Sequence, residues 1–178
     1  MPESTSMDTT VLANISRFLG LVLLQGLVFQ SIGTDLDFRY LHVIVYPIFL
    51  LLLPMRIPVA LVILLGFLIG FFVDMMYGTW GIHASASVFT AYIRSFIFKI
   101  LEPRGGYNVN LSPTAANLGS RWFFQYAAIM LLLHLFFYFS VEAFTFVYIV
   151  DILLKTFVSF IVSMLFLTGF QLIFDPKV

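Results

Sequence analysis

Residues 66–95 read GFLIGFFVDMMYGTWGIHASASVFTAYIRS, and the apolar runs around their one acidic residue set the architecture. Gly66, Gly70 and Asp74 are four residues apart, so a helix carries them on one stripe. Glycines at that spacing let another helix backbone approach closely, either from the same chain or from a second protein. A lone carboxylate one turn from the end of a membrane helix costs a few kcal/mol unless it is paired or wetted. Asp74 has candidate partners close by: the backbone N–H groups of the Tyr77–Gly81 turn and the side chain of His83. Gly78 and Gly81 tolerate positive φ, Thr79 offers a capping hydroxyl, and Trp80 sits between them. His83 and Ser85 open the next helix, where Ala84, Ser87 and Ala91 form a second small-residue stripe. The reading is a polar clasp fixing a tight helical hairpin, with protein docking or ligand binding as alternative uses. Two metal-ligand types are not a zinc site, which takes three or four protein groups.

Composition extends the membrane reading to the whole chain. Of 178 residues, 61% are hydrophobic and 10% charged, against roughly 45–50% and about 25% in soluble domains. Mean hydropathy is +1.05. A soluble fold of this size leaves roughly a third of its surface exposed and could not hide so many apolar side chains. Nine basic residues balance nine acidic ones, so no field draws the chain to nucleic acid. The absence of cysteine excludes disulfides, thiolate metal sites and a thiol nucleophile. Residues 1–16 carry only Glu3 and Asp8 as charged side chains. The basic start of a cleavable signal is missing, and the first apolar stretch is expected to stay as a span.

A span takes about 20 mostly apolar residues. Six stretches are read as transmembrane helices of one domain, residues 1–178: about 11–32, 40–53, 58–77, 83–101, 122–141 and 145–174. The second contains Pro47, and its 14 or so residues reach only about 21 Å, which fits a thin or tilted span or a re-entrant piece. With six spans and a cytoplasmic N-terminus, Arg17, Arg56, Lys99, Arg104, Arg121 and Lys177 face inward. Arg39, beside Asp35 and Asp37, and Glu142 face outward, as the positive-inside rule asks. The one sizeable loop, 102–120, is then cytoplasmic. Tyr77 and Trp80 outside, and Tyr107 and Trp122 inside, suit interfacial anchors.

Five further polar residues lie within the spans: Gln25, Arg94, His134, Asp151 and Lys155. Gln25 suits an interhelical hydrogen bond, and His134 a packed, bonded core position. Arg94 is read as snorkelling or meeting an internal acceptor. Asp151 and Lys155, one turn apart, are expected to neutralise each other. No GxSxG, HExxH or phosphate loop occurs in a usable context, and nothing groups a nucleophile with a base and an orienting acid. The expectation is a protein without enzymatic activity, cofactor or metal.

The stretch Gly66–Ala84 resembles the hallmark of the bacterial rod shape-determining MreD family, in which a glycine-rich helix runs through an aspartate and a short Gly-containing turn into GxHA. The matching residues are Gly66, Gly70, Asp74, Gly78, Gly81, His83 and Ala84. Gln25, late in the first span, and the PRGGY of Pro103–Tyr107, similar to Bacteroidetes-type members, add to the resemblance. As a motif it covers about 20 residues, and as a hydropathy pattern most of the chain. The basic cluster that many members place before the first span is absent here. The resemblance implies a six-helix fold like the substrate-binding subunit of energy-coupling-factor transporters. It implies a non-catalytic scaffold of the cell-elongation machinery in the bacterial inner membrane, with both termini cytoplasmic. The implied partners are MreC, through its transmembrane helix and membrane-proximal part, and membrane lipid. The actin-like MreB filament, a SEDS glycosyltransferase and its transpeptidase would be indirect partners. On this reading the glycine stripe admits MreC's helix and the turn around Trp80 meets its outer portion. A solute-binding subunit of a vitamin-type transporter is the alternative, and it requires a polar cavity among the helices.

Overall fold

A computed structural model describes residues 3–31 and 40–174, with side-chain surroundings for 12–31 and 40–173. The loop charges Asp35, Asp37 and Arg39, the terminal Lys177, and the side chains of Glu3 and Asp8 lie outside the described residues. The described chain is all-α. Helix α1 (Glu3–Leu23) continues as a π-helical turn, Leu24–Phe29. There follow α2 (Ile48–Leu52), α3 (Val59–Tyr77), α4 (Ile82–Ile100) and the short α5 (Ala115–Leu118). Helix α6 (Ser120–Ala143), a 3-10 turn at Phe146–Tyr148 and α7 (Ile149–Phe174) complete it.

Four helical stretches are long and apolar enough to cross a membrane: Leu12–Phe29, Val59–Tyr77, Ser120–Ala143 and Phe146–Ile173. Six spans, and with them the vitamin-transporter subunit architecture, are therefore corrected. The first departure is 83–101. It is a helix, α4, but His83, Ser85, Ser87, Thr90, Arg94, Ser95 and Lys99 make it too polar to qualify by composition. Much of that polarity is buried: His83, Ser87, Thr90 and Arg94 face the interior.

The second departure is 40–53. Leu41–Val45 forms no regular element, Tyr46–Pro47 turns, and only Ile48–Leu52 is helical. Local chemistry explains this. Val43, Ile44 and Val45 are β-branched and favour extended backbone. Pro47 has no N–H, clashes with a carbonyl four residues back, and disfavours helical geometry at Tyr46. Ile44 to Pro54 is buried without a break, whereas a helix against lipid leaves one face open. The stretch fills the centre of the bundle, where Tyr46, Leu50, Leu51, Tyr126, Met130 and Leu135 are all essentially inaccessible.

Helices α3 and α4 form an antiparallel hairpin, α4 packs on α6, and α6 on α7. The loops at 54–57 and 101–119 meet at one end, where the Met55 N–H donates to the Leu111 carbonyl at 3.5 Å. Arg56, Lys99, Arg104 and Arg121 fall at this basic end. Tyr107 donates to the Phe98 carbonyl at 2.9 Å and the Trp122 indole to that of Leu101 at 2.8 Å, which fastens the loop to the helices. Asp74, Glu142 and Asp151 mark the opposite, acidic end.

Candidate functional site

The hairpin turn is built around Asp74. Helix α4 begins after Gly81, at φ 84°, a residue with no side chain to cap the first N–H groups. Asp74, near the end of α3, supplies the missing cap. Its Oδ1 accepts from the His83 N–H at 3.0 Å and its Oδ2 from the Ala84 N–H at 2.9 Å. Oδ1 also accepts from the Thr79 hydroxyl at 2.5 Å and lies 3.1 Å from His83 Nδ1. The Thr79 proton is committed to Asp74, so His83 Nδ1 carries a proton directed at the Asp74–Thr79 oxygens. A carboxylate at a helix N-terminus is favoured by the dipole as well as by the bonds, which is how a buried acid is sustained here. The imidazole is enclosed by the rings of Tyr46, Tyr77 and Tyr138, with centroids 5.7, 4.8 and 4.8 Å away. Gly78 ends α3 at φ 67°, and Trp80 at the tip is 100% exposed.

The glycine stripe is occupied by the chain itself. A Cβ on Gly70 would lie 2.5 Å from the Ala84 Cα and from the His83 carbonyl oxygen. One on Gly66 would meet the Ser87 carbonyl oxygen at 3.0 Å and the Ala91 Cβ at 3.1 Å. The stripe that sequence offers to a partner helix is thus filled by α4, because the two small-residue faces pack on each other.

The other polar residues converge on the unwound stretch 40–53. Backbone at membrane depth that makes no helical bonds must find partners inside the protein. Gln25, held in the π-helical turn, donates to the Val43 carbonyl and accepts from the Val45 N–H, both at 2.9 Å. Two serines of α7 add to this: Ser159 Oγ accepts from the His42 N–H at 3.0 Å, and Ser163 Oγ from the Ile44 N–H at 2.9 Å. At the far end the buried Arg94 donates to the Leu53 carbonyl and, through Nε, to the Tyr126 hydroxyl at 3.2 Å. Tyr126 passes its own proton to the Leu51 carbonyl at 3.3 Å. The guanidinium therefore caps the C-terminus of α2, a favourable place for a cation. It lies 4.6 Å from the centre of the Phe98 ring. In the middle, Thr90 donates to the Ala86 carbonyl at 2.7 Å, so it accepts from His134 Nδ1 at 2.7 Å. That leaves His134 Nε2 to accept the Tyr46 proton at 3.0 Å.

Asp151 and Lys155 do not form the expected ion pair. Lys155 reaches across to Glu142 of α6 at 2.8 Å, while the Tyr40 hydroxyl lies 3.5 Å from Asp151. Both side chains turn toward other elements because the acidic end of α7 packs beside α6 and the start of the unwound stretch. Sequence reasoning missed Tyr46, Tyr126, Ser159 and Ser163, and read Glu142 as an outer-loop charge without its lysine partner. The signal for the serines was present: Ile152, Thr156, Ser159, Ser163 and Leu167 recur at helical spacing and are all buried. Asp74 and His83 offer two metal-ligand types, and among the described residues no group of three or more such side chains assembles.

These features define a class: an all-α, multi-pass membrane protein in which interior polar groups among the described residues hold an unwound segment. Compared with family models, curated proteins and solved structures, the chain matches none.

Proposed function

We propose that this protein is a non-catalytic membrane scaffold of the bacterial cell-elongation machinery, which binds MreC and helps organise peptidoglycan synthesis. The observation that carries the reading is the motif hairpin. Gly66, Gly70, Asp74, Gly78, Gly81, His83 and Ala84 all go into one braced hairpin, and the large side chain its turn leaves uncovered is that of Trp80. An exposed tryptophan at the tip of a braced hairpin suits an anchor for a protein partner. The occupied glycine stripe moves the docking surface from the helix face to this turn. MreC's membrane-proximal part is the direct partner, while MreB, the SEDS glycosyltransferase and its transpeptidase associate through it.

The membrane is the bacterial inner membrane, with both termini cytoplasmic. Arg56, Lys99, Arg104 and Arg121 gather at one end, and Ala13 and Ser16 of α1 border the same cavity as Phe170 of α7. Both terminal helices thus begin and finish toward the basic end, which supports this orientation.

The test is a mild-detergent pull-down of the tagged protein and of Trp80→Ala, with mass spectrometry of protein and small-molecule fractions. Wild type should retain MreC and other wall-elongation proteins, and Trp80→Ala should lose MreC while remaining folded. An ATPase transporter module or a retained vitamin-like molecule without MreC would overturn the reading.

A further inference from the structure

The acidic end holds a cavity of about 490 Å³ between α6, the 3-10 turn, α7 and Tyr40. Tyr40, Phe139, Glu142, Tyr148, Asp151 and Lys155 line it. An aspartate followed by a lysine four residues on is well placed to pair along a helix. Asp151 and Lys155 stand apart instead, each turned to a different neighbour. Lys155 gives one of its three N–H donors to Glu142, and its ammonium lies 5.6 Å from the centre of the Phe139 ring. Two donors remain for an anion. The Asp151 carboxylate, with the Tyr40 hydroxyl 3.5 Å away among the described residues, can accept from a cation, and the Tyr40 and Tyr148 rings suit the methylenes beside an ammonium. The cavity therefore sets the Asp151 carboxylate one helical turn from the Lys155 ammonium, which Glu142 partly neutralises, between aromatic walls.

We propose that this cavity binds an amine–phosphate zwitterion of the phosphoethanolamine type, its ammonium on Asp151 and its phosphate on Lys155. The rim locates the source. Phe144, Phe146, Val147 and Tyr148 are 91%, 69%, 82% and 58% exposed, and they adjoin an apolar helix that crosses the membrane. Aromatic and apolar side chains at a helix end sit at headgroup level, which brings phosphatidylethanolamine headgroups to the mouth. This inference stands apart from the proposed scaffold role.

The experiment is native mass spectrometry of the purified full chain in micelles doped with equal phosphatidylethanolamine and phosphatidylglycerol, repeated with soluble O-phosphoethanolamine as competitor. Loss of one charge-assisted contact corresponds to about tenfold in affinity. Wild type should therefore retain the ethanolamine lipid over the glycerol lipid by about that factor. Asp151→Asn should lose the preference, and Asp151→Glu should restore it. Binding of O-phosphoethanolamine without lipid retention would uphold the zwitterion site and assign it to a soluble ligand. Equal retention of both lipids by wild type, with no effect of the competitor, would overturn the proposal whether or not the variants fold. So would an unchanged preference in a folded Asp151→Asn.

Discussion

Replacing Asp74 with asparagine keeps the shape of the hairpin cap and removes its charge. The amide oxygen can occupy the place of Oδ1, facing Thr79 and His83. The amide nitrogen then replaces Oδ2, which accepts from the Ala84 N–H at 2.9 Å. A donor now faces a donor in a site where Asp74 is 3% exposed. A charge-assisted hydrogen bond contributes about 1.5–3 kcal/mol. The loss of a full charge at the start of α4 adds about 0.3–1 kcal/mol. The expected destabilisation of Asp74→Asn is therefore about 2–4 kcal/mol. Thr79→Val removes one donor from the same carboxylate and, at this part-buried site, should cost about 1.5 kcal/mol, the low end of the charge-assisted range. Reversible unfolding of the full chain in mixed micelles, followed by far-ultraviolet circular dichroism, measures both. A cost for Asp74→Asn within about 0.5 kcal/mol, the range of an ordinary surface substitution, would refute the capping argument. A larger cost for Thr79→Val than for Asp74→Asn would do the same.

Three further outcomes follow from the packing. Gly70→Ala, which drives a Cβ to 2.5 Å from Ala84 Cα, should cost about 1–3 kcal/mol or splay the hairpin. Gly169→Ala, with nothing within 4 Å of its Cβ, should stay within about 0.5 kcal/mol, and the same unfolding assay compares them. Gln25→Leu strands the Val43 carbonyl and the Val45 N–H, and should cost about 1–3 kcal/mol with faster hydrogen exchange at Val45. Double-mutant cycles should couple Lys155 to Glu142 by about 0.2–1 kcal/mol, and to Asp151 by less.

The hairpin was legible in sequence because its cause is local. Four-residue spacing, two positive-φ glycines and an acid within reach of a helix start all lie between Gly66 and Ala84. The interior was less so. Gln25 and Arg94 stood out as polar residues at membrane depth, yet their common target, the 40–53 backbone, has no polar signature of its own. Its apolar composition reads as a span, and composition does not distinguish burial in lipid from burial in protein. The run Val43-Ile44-Val45-Tyr46-Pro47 did hold the warning, in three β-branched residues before a proline. Asp151 and Lys155 were misread for a related reason: spacing along one helix says nothing of Glu142, which arrives from another. The glycine stripe likewise asks for a close helix without naming whose.

The central claim is that 44–53 lies inside the protein, where Val45 and Ile48 border a groove between α1 and α7 and the other positions are shielded from water and lipid. The chain has no cysteine, so single cysteines introduced at successive positions from Ile44 to Leu53 report on this directly. Trp80→Cys serves as the water-exposed control and Leu165→Cys, at a site 67% exposed, as the lipid-facing one. Labelling in native membranes with a membrane-impermeant maleimide and a lipid-phase thiol reagent should mark the two controls and leave the stretch unreactive except at Val45 and Ile48, which border the groove. Lipid-phase labelling that recurs every three or four residues beyond these two positions, through to Leu53, would show a spanning helix with one face in the bilayer, and would contradict the account.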